Sequence, residues 1–307
     1  MNTKPFTLVL ACLFISHLSF CQYYFYNNRY YDRDLLFEIN ISAGAMNCLT
    51  DIGGRSGKGK GFLKDLNISN TKMCAGISAG LIYRYSLGLR LEGSMGSVQA
   101  YDSILKNDQA EGKFRYKRNL NFKSTISELI LLAELYPIRI LFPVQEGEKT
   151  PPFAPYITGG IGLFRFNPQA NLDGIWIDLA PLHTEGQNFS EYPERKPYAL
   201  TQLNFPIGIG CKYELSPLFS VRLEVLHRIT QTDYLDDVST RYIDPNLFSK
   251  YLPADKISTA LALHDRQREL NPQHVTIPGS IRGHDNKNDS YFTIQLKLGF
   301  TIGRELR

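Results

Sequence analysis

TQLNFPIGIGCKYELSPLFSVRLEVLHRIT, residues Thr201 to Thr230, reads as two strands joined by a turn. Leu203, Phe205, Ile207, Ile209, Cys211 and Tyr213 take the odd positions of the first arm. Asn204, Pro206, Gly208, Gly210, Lys212 and Glu214 take the even ones, the period of two that gives a strand two unlike faces. Ser216-Pro217 turns the chain, and Phe219, Val221, Leu223 and Val225 then alternate with Ser220, Arg222, Glu224 and Leu226. Each arm exceeds the usual strand of about five or six residues and matches the roughly 9 to 11 with which a tilted strand crosses a bilayer. Alternation alone would equally serve a soluble lipocalin-like barrel, whose apolar face turns inward. Here the polar faces carry charges of both signs among glycines, which suits a narrow, self-neutralising interior better than a wet exterior.

The same pattern recurs along the chain. Leu35 to Ala45 sets Phe37, Ile39, Ile41, Ala43 and Ala45 against Glu38, Asn40, Ser42 and Gly44. Ala75, Ile77, Ala79, Leu81 and Tyr83 alternate with Gly76, Ser78, Gly80 and Arg84, and a tight connection near Ser86 leads to Leu87, Leu89, Leu91 and Met95 against Gly88, Arg90, Glu92 and Ser94. Phe122 to Tyr136 is a fourth strand with Glu128 and Glu134 on one side, although Ile130 and Leu132 share that side. Tyr156 to Phe166 is a fifth, and Ser290 to Ile302, with Thr293, Gln295 and Lys297 on its polar face, the last. These make an all-β, eight-stranded antiparallel up-and-down transmembrane barrel. Its expected interior charges are Glu38, Arg84, Arg90, Glu92, Glu128, Glu134, Lys212, Glu214, Arg222 and Glu224.

Connection lengths test this independently. The first, third, fifth and seventh are long, the second and sixth tight, and the fourth, Pro137 to Pro155, intermediate. Long loops at one end, extracellular, and short turns at the other with both termini periplasmic is the asymmetry of outer-membrane barrels. Lys4 and the apolar run Phe6 to Phe20, with Ser19 and Cys21 at the minus-three and minus-one positions, read as a signal peptide over residues 1–21. A lipoprotein anchor at Cys21 is the competing reading, opposed by bulky Phe20. Residues 22–34 form a tyrosine-dense periplasmic N-terminal segment and 35–307 the barrel.

Among 307 residues the formal charge of +4 is scattered, without the basic and aromatic stripe of a nucleic-acid binder. Gly53 to Gly61, GGRSGKGKG, lacks the spacing of a phosphate-binding loop and reads as a solvated basic loop. His183, His264, His274 and His284 lie in loops and His227 ends a strand, with no metal-ligand spacing and no nucleophile, base and acid set. Neither an enzyme, a cofactor nor a small-molecule substrate is expected, although small outer-membrane barrels do include lipid-modifying enzymes. Asp233, Asp236 and Asp237 are weak calcium candidates, more readily explained as acids capping a strand end and pairing with Arg228 or Arg241. Cys48 and Cys74, at adjacent strand ends with the same inward parity, could form a disulfide in an oxidising periplasm; two buried thiols are the alternative.

RNLNFKSTISEL (Arg118 to Leu129), PYITGGIGLFRFNP (Pro155 to Pro168), LHTEGQ (Leu182 to Gln187), LNFPIGIGCKYEL (Leu203 to Leu215) and RITQTDYLDDVSTRY (Arg228 to Tyr242) together resemble the PorG-type outer-membrane barrels of the type IX secretion and gliding apparatus of Gram-negative bacteria. The resemblance spans nearly the whole mature chain, and its last segment is the most specific. It implies an accessory anchor in the outer membrane, in contact with membrane lipids and with a periplasmic ring formed by a lipoprotein and its partner. The long loops leave a different role open, that of a surface-exposed binding or adhesion barrel.

Overall fold

The computed structural model describes residues 34–53, 68–106, 112–142, 152–284 and 287–302. The expected signal peptide, all but the last residue of the expected N-terminal segment, most of the GGRSGKGKG loop, part of the fourth connection and the tail Gly303 to Arg307 lie outside the described residues.

Ten strands form one sheet: β1 (Leu35–Leu49), β2 (Lys72–Tyr83), β3 (Leu87–Tyr101), β4 (Asn121–Leu135), β5 (Phe153–Arg165), β6 (Pro168–Leu172), β7 (Ile175–Asp178), β8 (Thr201–Glu214), β9 (Phe219–Thr230) and β10 (Ser290–Ile302). All but the short β6–β7 hairpin close into an eight-stranded antiparallel barrel, each strand pairing with the next and β10 returning to β1 from Phe37–Ile302 to Leu49–Ser290. The helices are α1 (Gly112–Arg118), α2 (Pro137–Leu141), α3 (Phe248–Tyr251), α4 (Ala254–His264) and α5 (Gln267–Leu270); of these only α2 lies on the turn side, the rest on the loop side.

Closure settles which face points where. The apolar residues of the alternating pattern face outward: Ile41 is 59% exposed, Leu89 52% and Ile209 63%, while Glu38, Arg90 and Lys212 on the same strands are at most 3% exposed. No helix among the described residues is long and apolar enough to cross a membrane; a closed strand barrel is the other structure that satisfies its backbone groups in lipid.

Two strands run further than their patterning indicates. β1 continues to Leu49 and β3 to Tyr101 because the alternation inverts near the loop end: Met46, Cys48, Val98 and Ala100 point inward, while Ser97 and Gln99 point out. With Phe122, Phe164 and Phe166 they form an apolar stopper inside the barrel mouth. Ile130 and Leu132, which spoil the alternation of β4, meet Leu226 in a small apolar layer within the lumen.

Two expectations are corrected. Arg84 is not in the interior: it and Tyr85 have φ of 46° and 55°, and Ser86 N–H donates to the Tyr83 carbonyl, so the pair forms a two-residue hairpin turn belonging to neither face. Its guanidinium lies outside, 3.0 Å from Asp34. Cys48 and Cys74 are both free and buried. The register puts Gly44 opposite Cys74, whereas Cys48 lies four residues further along, opposite Tyr291. At about 3.3 Å per residue that is roughly 13 Å along the strand, too far for a bridge.

Candidate functional site: a filled lumen beneath a fastened cap

The lumen holds charges in tiers. Nearest the loop end, Glu128 meets Arg228 at 2.5 Å and accepts from Ser94 and Tyr291, each at 2.8 Å. Below it Glu224 takes Arg90 at 2.5 Å, Lys297 at 2.8 Å and the Tyr156 hydroxyl at 2.8 Å, while Glu92 takes Lys297 at 2.5 Å and Arg90 at 3.2 Å. Lower still, Glu134 lies between Arg90 at 2.7 Å and Arg222 at 2.9 Å, and Glu38 binds Arg222 and Lys212. Glu214, 3.8 Å from Lys212, and Arg139 from α2 finish the turn end. The six carboxylates Glu38, Glu92, Glu128, Glu134, Glu214 and Glu224 are thus matched by Arg90, Arg139, Lys212, Arg222, Arg228 and Lys297, all buried. An eight-stranded barrel is just wide enough for side chains. The cavity left at the turn end, about 10 Å³, is no larger than the space one water needs.

Above the stopper the loops form a cap with its own core, in which Leu182, Phe189, Ile243, Phe248 and Leu263 are buried. Each such side chain is worth roughly 1.5–3 kcal/mol of burial. The β6–β7 hairpin, absent from the sequence expectation of a plain loop, gives this core Ala170 and partly buried Leu172 and Ile177.

Two quoted motifs meet here. Thr184 of LHTEGQ donates to Asp237 at 2.5 Å, and Glu185 accepts from the Ser239 and Thr240 backbone N–H groups at 3.0 and 2.9 Å and from the Thr240 hydroxyl at 2.7 Å. Gly186 follows with φ of 73°, and a Cβ there would stand 3.0 Å from Tyr192, so only glycine suits the turn. Arg282 then joins the segments, meeting Glu185 at 2.9 Å and the Asp237 carbonyl at 2.7 Å.

A second arginine ties in the remaining loops. Arg118, at the end of α1, reaches both oxygens of Asp102 at 2.8 and 2.9 Å, the Asp51 carbonyl at 2.8 Å and the Arg282 carbonyl at 2.5 Å. Residues from all four long connections therefore share one buried hydrogen-bonded clasp. Sequence reasoning singled out neither Asp51, Asp102 nor Arg282; they lie in polar loops without periodicity, where only contact reveals their role.

The three aspartates do not converge as a ligand set. Asp236 accepts from the Ile52 and Val238 N–H groups at 2.9 and 3.0 Å, and Asp237 from Thr184 and Tyr198. Among the described residues no group of three or more His, Cys, Asp or Glu could hold a metal. Nor do they pair with the expected arginines: Arg228 points into the lumen onto Glu128, and Arg241 donates to the Gly279 carbonyl. His264 is sealed between Tyr242 and Phe248 with Nδ1 2.6 Å from the Thr184 carbonyl, and burial together with Arg282 pushes its pKa down to about 4.

Burial and mutual repulsion raise the carboxylates, Asp233 to about 9 and Asp236 to about 8, with Asp289 well above its ordinary value. A folded-state pKa above the unfolded one means that the folded cap holds the extra protons. The stability they confer is full below the ordinary carboxylate value of 3.8, falls as pH rises above it, and is gone above about 8 to 9. Protection of cap amides, measured against the unfolded-chain exchange rate at each pH, should therefore fall over that interval, and Asp236→Asn should flatten the decline. An exchange rate independent of Asp236 would contradict this account.

No family model matches the chain, and no curated protein matches it either. Solved structures similar to it include Neisserial surface protein A, at 9% identity over 86% of this chain and 96% of that one with a TM-score of 0.37. Ail, the attachment invasion locus protein of Yersinia pestis, in complex with sucrose octasulfate, is 8% identical over 88% of this chain and 100% of that one, with a TM-score of 0.37. The outer membrane enzyme PagL is 11% identical over 85% and 97%, with a TM-score of 0.29. The barrel assignment itself rests on this chain's own closed strand ladder.

Proposed function

We propose that the protein is a non-conducting, non-catalytic outer-membrane barrel that anchors an accessory part of the type IX secretion and gliding machinery, with its turn end and termini in the periplasm and its cap outside. The single observation that carries the anchoring role is the filled lumen: twelve matched charges and an apolar stopper leave no conduit for cargo. The outward apolar belt supports the membrane location. The family resemblance supplies the machinery. The fourth connection suits a docking role, since α2 and the residue after it leave Ile138, Ile140, Leu141 and Phe142 exposed at the turn end.

Replacing the exposed Ile138, Ile140, Leu141 and Phe142 by serine, which spares Arg139 and β5, should leave insertion intact and weaken association with the periplasmic ring in pull-downs from outer membranes. Undiminished recovery of the ring would refute that contact, and normal secretion of signal-bearing cargo after clean deletion would refute the secretion role. A second reading, a surface-binding barrel, is favoured by Val275 and Ile277, exposed at 69% and 66% on the cap. Deleting the cap loops would then abolish binding and spare secretion.

A further inference from the structure

β5 stops pairing with β8 at Arg165–Thr201, and after Phe166 and Asn167 the chain resumes beside β4 as β6, whose other neighbour is β7. One neighbour leaves and another arrives on the same side of this path. The gap is a groove of about 320 Å³ lined by Thr125, Ser127, Arg165, Asn167, Asp178 and Leu200, with Phe166 at its base.

Register fixes its height. On the β4–β5 ladder Leu129 pairs with Leu163 as the last apolar outward rung and Ser127 with Arg165 as the next, while on the β3 side Ser127 faces the exposed Met95. The groove thus begins where the apolar belt ends, on the outer surface, at the level where a bilayer changes from hydrocarbon to headgroups. Its lining is rich in donors: two hydroxyls, the Asn167 amide and the guanidinium of Arg165, which is exposed and has no acid partner among the described residues. Asp178 is the one acid in the lining, and its Oδ1 already accepts from Asn167 at 2.9 Å and Gln169 at 2.7 Å. Beyond Thr125 on the same face of β4, the Lys123 ammonium sits 4.4 Å over the ring of Trp176.

We propose that this groove seats a phosphate of an anionic glycolipid headgroup in the leaflet that surrounds the cap, with Arg165 as the forked donor and Lys123 as the second cation. The planar guanidinium matches phosphate oxygens two at a time, and neither cation must give up a carboxylate to bind. The inference rests on the membrane-spanning reading above.

Trp176 is the only tryptophan, so its emission reports the site directly. Full-length protein in uncharged maltoside micelles is titrated with lipid A carrying its phosphates, with the same lipid stripped of them, and with inorganic phosphate. A saturable change is expected with the phosphorylated lipid alone. Arg165→Gln should raise its half-saturation about tenfold, the worth of one charge-assisted hydrogen bond. Lys196→Gln, which removes an exposed cation elsewhere on the cap, should leave it unchanged. An equal response to stripped lipid or to inorganic phosphate, an undiminished response in Arg165→Gln, or the same loss in Lys196→Gln would overturn the site. Insertion into vesicles separates the two levels. Wild-type protein that fails to insert removes the membrane reading and the groove together, whereas protein that inserts without an Arg165-dependent signal removes the groove alone.

Discussion

Replacing Arg222 by methionine should sharply lower the fraction of the barrel that folds into lipid vesicles. Arg222 lies within 2.6 Å of Glu38 and 2.9 Å of Glu134, both buried. Without it, Glu38 keeps only Lys212 and Glu134 only Arg90 and a tyrosine hydroxyl. A buried ion pair adds little net stability, because desolvation offsets most of the attraction, yet removing one partner costs about 3–5 kcal/mol. That is a large share of a typical domain's 5–15 kcal/mol. The control is Arg84→Met, which breaks an ion pair with both partners more than 60% exposed and should fold as the unsubstituted protein does. Heat-dependent gel mobility gives the folded fraction, and adding Glu38→Gln to Arg222→Met should recover part of it. Equal folding of the Arg222 and Arg84 variants would mean that the lumen charges are hydrated and the filled-lumen account is wrong.

Arg118→Met should produce a different failure: an inserted barrel with an unfastened cap. It leaves the Asp102 carboxylate, itself fully buried, without its cation and strips hydrogen bonds from the Asp51 and Arg282 carbonyls. The cost, again about 3–5 kcal/mol, falls on the loops because the partners Asp102, Asp51 and Arg282 all lie there. Trypsin added to vesicles should then cut at Arg195, Arg241 or Lys256 at least tenfold faster than in the unsubstituted protein, since each 1.4 kcal/mol is a tenfold change in the open population. Strand fragments should remain protected. Cleavage at the unsubstituted rate would show that the cap is held by its apolar core alone.

These two variants also mark what could be read from the primary structure. A period of two is a local property, so β8, β9 and the lumen side of Arg222, Glu224 and Lys212 follow from spacing once the apolar face is taken to point outward. The partners do not follow. Arg228 joins Glu128 across 100 residues of chain, and nothing local to Arg228 favours that carboxylate over the nearby aspartates. Arg84 misled because parity continued through a turn whose two residues adopt positive φ. The cap resisted reading for a related reason. Its segments lack any period, and LHTEGQ and LDDVST reveal their relation only when Thr184 and Glu185 are seen bonded to Asp237, Ser239 and Thr240.

The arrangement of Arg118 and Arg282 has a mechanical corollary. A hairpin pulled from its tip peels open one rung at a time, so a free loop yields to weak forces. Here a tug applied to any one loop is divided among four, and it reaches the wall as shear along several ladders at once. A partner that gripped this cap could therefore haul on it without drawing a strand out of the barrel wall.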